Sequence, residues 1–268
     1  MTDRTTVRNG DTHLSVLVTG QPDGPTVLLS NSLGAGLHMW DPQRDLLNPH
    51  FRVIGYDTRG HGMSGTPSGS YSFGDLTADA IAILDHFEAE RADIIGLSLG
   101  GMTALGLGLD YPDRVGRIVC ACARADAPQP FVTSWDDRIA AITAGGMSAI
   151  WQGTLDRWLT RDVISSQPQT VTALAADFMA TTVSGYTGCA RALQQLDYRR
   201  RLPGMTAAVT YIAGADDMGA PPAAMQEMAQ ATPGSQYVEI PDCAHIANVN
   251  RADSFNAVLQ NFLEISCV

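Results

Sequence analysis

Short runs in which nearly every position is apolar alternate with longer stretches in which apolar residues recur every three or four positions. Residues 14–18, 26–30, 52–56, 93–96, 117–120, 208–213 and 236–240 are runs of the first kind. A strand covered by helices on both faces has no solvated side, so continuous apolar runs predict buried strands of a mostly parallel sheet. Residues 73–87, 100–110, 223–231 and 254–263 carry the helical period. Strands alternating with helices predict an α/β fold, a mostly parallel central sheet flanked by helices.

The rhythm breaks between about residues 125 and 202. Strand-like runs stop, and Ile139, Ile142, Met147, Ile150, Trp151, Leu155, Trp158 and Leu159 recur at helical spacing. This predicts a helical insertion between two core strands, with 1–124 and 203–268 as the core and 125–202 as the insertion. Ligands bind at the ends of parallel strands, so an insertion placed there is expected to act as a lid.

Composition narrows the function. The chain has 268 residues, a hydrophobic content of 45% and a formal charge of −11, which excludes a disordered chain. The charge argues against nucleic acid or an anionic membrane as partner, since both need a basic surface. Every one of the 17 cations is Arg, so Schiff-base and P-loop lysine chemistry are excluded. The insertion holds eight of those Arg against seven Asp over residues 124–201, leaving the net negative charge on the core. A small-molecule substrate is expected, and a homo-oligomer is compatible with the sequence. The five cysteines, Cys120, Cys122, Cys189, Cys243 and Cys267, show no metal-ligand spacing. Cys120 and Cys122 are expected on one face of a strand as small buried hydrophobes. With no apolar leader and no run of about 18 apolar residues, a cytoplasmic protein is expected.

The chemistry lies at strand ends. Gly96-Leu97-Ser98-Leu99-Gly100 follows one predicted strand and opens a helix. A Gly-x-Ser-x-Gly turn of this kind projects the Ser98 hydroxyl above the sheet, and the Leu99 N–H at the helix start can stabilise an oxyanion. His245 follows the last predicted strand, on the edge where Ser98 emerges. Asp217 follows the strand before it. Ser98 is thus the expected nucleophile, His245 the base and Asp217 the orienting acid, in the chain order of α/β-hydrolases. Asp216 is the rival acid. His13, His50 and His86 lie in early or helical segments, and His61 in Asp57-Thr-Arg-Gly-His61-Gly reads as structural. The small-residue loop Ser30-Asn-Ser-Leu33-Gly-Ala-Gly36 also follows a strand, so the Leu33 N–H is the second expected oxyanion donor.

Together these residues resemble the α/β-hydrolase superfamily over the whole chain. The likeness is greatest to the 3-oxoadipate enol-lactone hydrolases. It rests on Ser30-Asn-Ser-Leu-Gly34, Met39-Trp-Asp-Pro-Gln43, Tyr56-Asp-Thr-Arg-Gly-His-Gly62 and Gly96–Gly101. In the insertion it rests on Trp135-x-x-Arg138-Ile and Gly185-Tyr-x-Gly-Cys-Ala190, and near the end on Ala244-His-Ile-Ala-Asn248. The resemblance implies serine hydrolysis of a carboxylate-bearing enol-lactone through an acyl-enzyme, with neither metal nor organic cofactor. The implied carboxylate needs a donor fork, for which Arg138 is the first candidate and Arg124 the second. Trp135, Trp158 and Tyr186 are candidates for an apolar wall, or for packing between lid helices. One stretch departs from the family pattern. Cys122-Ala123-Arg124 stands where members usually carry Asn-Thr-Ala, which leaves the particular lactone open. A carboxylesterase, a perhydrolase, a carbon–carbon bond hydrolase and a binding protein on the same scaffold are the alternatives.

Overall fold

The computed structural model describes residues 4–265; Cys267 lies outside them. Eight strands form one sheet: β1 (Arg4–Asn9), β2 (Thr12–Gly20), β3 (Thr26–Ser30), β4 (Arg52–Tyr56), β5 (Ala92–Leu97), β6 (Val115–Ala121), β7 (Ala208–Gly214) and β8 (Gln236–Ile240). Their spatial order is β1-β2-β4-β3-β5-β6-β7-β8. β2 runs antiparallel to β1 and β4, and every other pairing is parallel. The chain order reverses at β3, which has β4 on one side and β5 on the other. A crevice opens above such a switch point, between the loops that follow β3 and β5.

The seven expected strands are present, and one was not foreseen. β1 is a polar edge strand whose one buried residue is Val7, so it lacks the apolar run of a central strand. Its sequence signal was the turn: Asn9 pairs Thr12 across Gly10-Asp11, a two-residue hairpin loop.

The four expected core helices are α2 (Phe73–His86), α3 (Leu99–Asp110), α9 (Pro222–Ala231) and α11 (Ala252–Phe262). α2 starts on a capping box, Ser72 accepting from the Asp75 N–H while Asp75 accepts from the Ser72 N–H. α3 is buried from Leu99 through Gly108; it is apolar all round because it packs between the sheet and other helices. Two short helices went unread, α1 (Asp41–Leu47) and α10 (Ala247–Asn250), neither long enough to show a period.

Between β6 and β7 the chain passes through α4 (Gln129–Gly145), α5 (Ser148–Trp158), α6 (Arg161–Ser166), α7 (Pro168–Ala180) and α8 (Val183–Gln194). The excursion leaves and returns at one point. Asp126 and Asp197 form an isolated bridge, and the Tyr198 and Arg199 N–H groups both donate to the Ala125 carbonyl. No described helix is long and apolar enough to cross a membrane.

Candidate active site

β5 ends at Leu97 and α3 begins at Leu99, so Ser98 alone makes the turn, at φ 57° and ψ −115°. That backbone state costs a non-glycine residue on the order of 1–3 kcal/mol and persists only where its surroundings enforce it. Here they do. A Cβ on Gly96 would lie 2.1 Å from the Gly100 carbonyl oxygen, and one on Gly100 would lie 2.0 Å from the Ser30 carbonyl oxygen. Only glycine at both positions lets β5, α3 and β3 approach this closely. The Ser98 N–H donates to Ala121 O on β6, which fixes the turn to the sheet.

Ser98 Oγ lies 2.9 Å from His245 Nε2, and His245 Nδ1 lies 2.8 Å from Asp217 Oδ2. Asp217 is buried, and its other oxygen accepts from the Gly219 N–H at 2.7 Å and the Ala220 N–H at 3.1 Å. An ionised carboxylate can only accept, so the proton of the neutral ring sits on Nδ1. Nε2 is then an acceptor aimed at the Ser98 hydroxyl. Asp216 is exposed, and its backbone N–H is held by Cys243 O; among the described residues its side chain bonds to nothing.

The loop after β3 presents an unused donor to the cavity. The Ser32 N–H points to Met39 Sδ, the Gly34 N–H to His61 Nε2 at 2.9 Å, and the Ala35 N–H to Ser32 O. The Leu33 N–H makes no hydrogen bond to the described residues, and Leu33 lines the cavity above Ser98. The Leu99 N–H, at the first position of α3, likewise has no intrahelical acceptor. Two free N–H groups thus flank the Ser98 turn.

His61 is a positioning residue for this loop. It is fully buried, and its Nδ1 lies 3.1 Å from Arg59 O. A carbonyl only accepts, so Nδ1 carries the proton and Nε2 receives the Gly34 N–H. Burial pushes the ring's pKa down, outweighing the opposite effects of the Arg59 carbonyl and the Asp57 carboxylate. The folded chain therefore takes up this proton less readily than the unfolded chain. The resulting stability is complete above the unfolded histidine value of about 6.5 and is lost as pH falls below it. Denaturant midpoints measured between pH 7 and 5 are expected to drop more steeply for the wild type than for His61→Gln, which has nothing to titrate there. Parallel slopes would mean that His61 protonates freely in the folded state.

A small, partly enclosed cavity lies above Ser98. Ser32, Leu33, Met102 and Cys122 line it from the core. Cys120 and Cys122 are both buried, but they do not share a strand face: β6 ends at Ala121, and Cys122 turns to φ 46°. Gly219, Ala220 and His245 line it from the loops after β7 and β8, and the helical insertion supplies further wall that includes Trp135, Arg138, Trp158 and Tyr186. The three aromatics also pack within the insertion, Trp135 on Tyr186 at 6.3 Å and both Trp158 and Tyr186 on Phe178 at 5.8 and 6.1 Å. Wall and helix packing are one surface here.

The arginines differ from one another. Arg124 stands at the outer mouth, over the Phe131 ring and paired with Asp126. Arg138 lies over the Trp135 ring, donates to Thr154 Oγ1 at 2.8 Å, and has no carboxylate partner among the described residues. Its buried Nε–H and the Trp135 indole N–H both lack an acceptor. Asp136, two residues before it, is engaged by Arg191 and Gln194, and Asp137 is exposed. Sequence reasoning missed Arg157, which lines the same cavity. Burial and the neighbouring Arg138 charge push its guanidinium down to about 10. A lone arginine in a helical stretch gives no sequence signal of this kind; only the fold reveals that it lacks a partner.

A serine on a strained strand–helix turn, hydrogen-bonded to a histidine that follows the last strand, is the arrangement of a hydrolase. The chain belongs to the α/β-hydrolase fold family, whose sequence model matches residues 25–252. It is 34% identical to 3-oxoadipate enol-lactonase 2 of Acinetobacter baylyi over 256 residues, which span 94% of this chain and 95% of that protein. It is 30% identical to 3-oxoadipate enol-lactonase 1 of the same organism, over 97% of this chain and 96% of that protein. Among solved structures, the enol-lactonase from Burkholderia xenovorans LB400 superposes with a TM-score of 0.93 at 36% identity, covering 98% of this chain and all of that one. The protein is an enzyme of the hydrolase class.

Proposed function

We propose that the enzyme opens the ring of a small enol-lactone bearing a free carboxylate, such as 3-oxoadipate enol-lactone, through a Ser98–His245–Asp217 triad. The observation that carries this reading is the cavity itself: an activated serine at its floor and unneutralised guanidinium in its wall. Ser98 Oγ attacks the lactone carbonyl while His245 Nε2 takes its proton. Asp217 stabilises the imidazolium that forms. The Leu33 and Leu99 N–H groups receive the tetrahedral oxyanion, and one such donor is worth about 10²–10³ in rate. Collapse expels the ring oxygen as an enolate, which His245 protonates and which tautomerises to a ketone. Water, deprotonated by the same histidine, then cleaves the acyl-enzyme and frees a second carboxylate. Each step uses groups of this chain and needs no cofactor. Helices α4–α8 serve as the lid, supported by the side chains that α4, α5 and α8 give to the cavity wall.

Arg138 is assigned to the substrate carboxylate and Trp135 to its flank, because both present buried donors without acceptors. An orphaned buried donor costs on the order of 1–3 kcal/mol until something accepts from it. Arg124 is assigned no contact with the tail, since Asp126 already faces its charge. Losing one half of a desolvated charged contact costs about 2–5 kcal/mol in comparable settings. Arg138→Ala should therefore lower kcat/KM for carboxylate-bearing lactones about 30-fold or more relative to their neutral methyl esters. The test is a panel of lactones and simple esters, with and without the carboxylate, ranked by kcat/KM on both proteins. Equal losses on both substrate classes would reduce Arg138 to a structural residue. A wild-type preference for neutral esters would make the enzyme a carboxylesterase instead.

A further inference from the structure

We propose that Arg157 is the second half of a two-guanidinium clamp, which with Arg138 grips one substrate carboxylate and ties its binding to the position of the catalytic histidine. The proposal rests on the carboxylate-bearing substrate class inferred above, and it adds a residue and a coupling to it.

Three observations meet at Arg157. The first is charge. Arg157 and Arg138 line one cavity, and among the described residues no carboxylate pairs with either. The acid next to it in sequence, Asp156, accepts from Gln152 and is exposed. Two like charges facing each other in a half-buried wall repel, and folding alone does not explain why neither has an acid beside it.

The second is the acceptor they share. Thr154 Oγ1 donates its proton to Ile150 O at 2.8 Å. Its lone pairs then receive Arg138 Nη2 at 2.8 Å and Arg157 Nη2 at 3.5 Å. One neutral hydroxyl thus holds two guanidinium groups side by side, and their remaining N–H groups stay available to an anion. A carboxylate has two oxygens and about four lone-pair sites, enough to accept from both arginines at once.

The third is the link to the base. Arg157 and Trp158 end α5, and their carbonyls accept the His245 and Ile246 N–H groups, each at 3.1 Å. The residue that meets the anion through its side chain therefore holds the catalytic histidine through its backbone. Seating a carboxylate removes the repulsion between the guanidinium groups and steadies the end of α5, and with it the His245 loop. Selection for the carboxylate should then appear in kcat as well as in KM.

The experiment uses Arg157→Met, which keeps the length and apolar stem of the side chain, and Arg157→Lys, which keeps its charge but not its fork. Two readouts are taken on each. One is kcat and KM for a carboxylate-bearing enol-lactone and for its neutral methyl ester. The other is competitive inhibition of 4-nitrophenyl acetate turnover by propionate, which probes the clamp without any lactone. For Arg157→Met we expect the preference for the carboxylate-bearing lactone to fall at least tenfold, the loss divided between kcat and KM, and the propionate inhibition constant to rise at least tenfold. Arg157→Lys should lie between Met and wild type on both. In the Arg138→Met, Arg157→Met double variant the combined loss should be smaller than the product of the single losses, since both grip one group.

A preference and a propionate constant within twofold of wild type in both Arg157 variants would overturn the clamp. So would lactone turnover in an enzyme that propionate does not inhibit, although the lactonase reading would survive. Propionate inhibition that depends on Arg157, in an enzyme that opens no lactone, would uphold the clamp and overturn the lactonase reading.

Discussion

Ser98→Ala is expected to lower kcat by about 10⁶-fold while the protein stays folded, the scale seen when a serine hydrolase loses its nucleophile. The large effect follows from what remains. His245 would keep its tautomer, because Asp217 still accepts from Nδ1. The Leu33 and Leu99 N–H groups would remain free, but no bond could form to the carbonyl carbon. Only direct attack by water, oriented by chance in the cavity, is left. The fold should be indifferent, since the one side-chain bond of Ser98 is to His245. Its positive φ is imposed by Gly96, Gly100 and the strand β5, not by the hydroxyl. Alanine at φ 57° carries the same strain as serine, so the melting temperature should hold or rise. The measurement is burst-phase and steady-state turnover of an activated ester, with labelling by a serine-directed organophosphonate followed by mass spectrometry. A variant that keeps more than about 1% of wild-type kcat, against the 10⁶-fold loss expected here, or still takes up the label, would show that another residue is the nucleophile.

The central strands were legible because burial on both faces forces an apolar run, as in β3, where all five residues are buried. β1 escaped the same logic because Val7 is its one inward residue, and α1 escaped because seven residues do not reveal a period. Ser98, Asp217 and His245 could be picked out because chemistry at a sheet edge obliges each to follow a strand, and local sequence reveals where strands end. The cavity wall was less legible. Trp135, Trp158 and Tyr186 pack helices and face the cavity at once, so a helical pattern could not separate the two roles. Cys122 was expected on a strand face but turns away at φ 46° beyond the strand's last residue. Strand ends are set by what packs above them, here the insertion. Arg157 could not be read at all: its place depends on Thr154, Arg138 and the His245 loop, brought together from separate stretches of chain. Arg124 ranked behind Arg138 in sequence, and the fold pairs it with Asp126 while Arg138 has no carboxylate partner among the described residues.

Asp217→Asn should cost up to about 10⁴ in kcat, the size of effect found when the acid of such a triad becomes an amide. The geometry explains how. Asp217 Oδ1 is held by two backbone donors, Gly219 N–H at 2.7 Å and Ala220 N–H at 3.1 Å. In the variant those donors still need an acceptor, so the amide oxygen must stay there. The amide nitrogen is then turned toward His245 Nδ1, where it can only donate. Nδ1 becomes an acceptor, and the ring's proton moves to Nε2. A histidine protonated on Nε2 cannot take the proton of Ser98, so the triad is lost without any atom having moved far. Asp216→Asn is the control. Its side chain is exposed and bonds to none of the described residues, and a surface change of this kind usually shifts stability by less than about 0.5 kcal/mol. Its effect on kcat should stay within about threefold by the same measure. Both variants should melt close to wild type, which separates a chemical loss from an unfolded one. Turnover of the activated ester and a pH–rate profile on each protein decide the matter. A large loss in Asp216→Asn with Asp217→Asn nearly intact would move the orienting acid one residue back and require the loop after β7 to rearrange in the working enzyme.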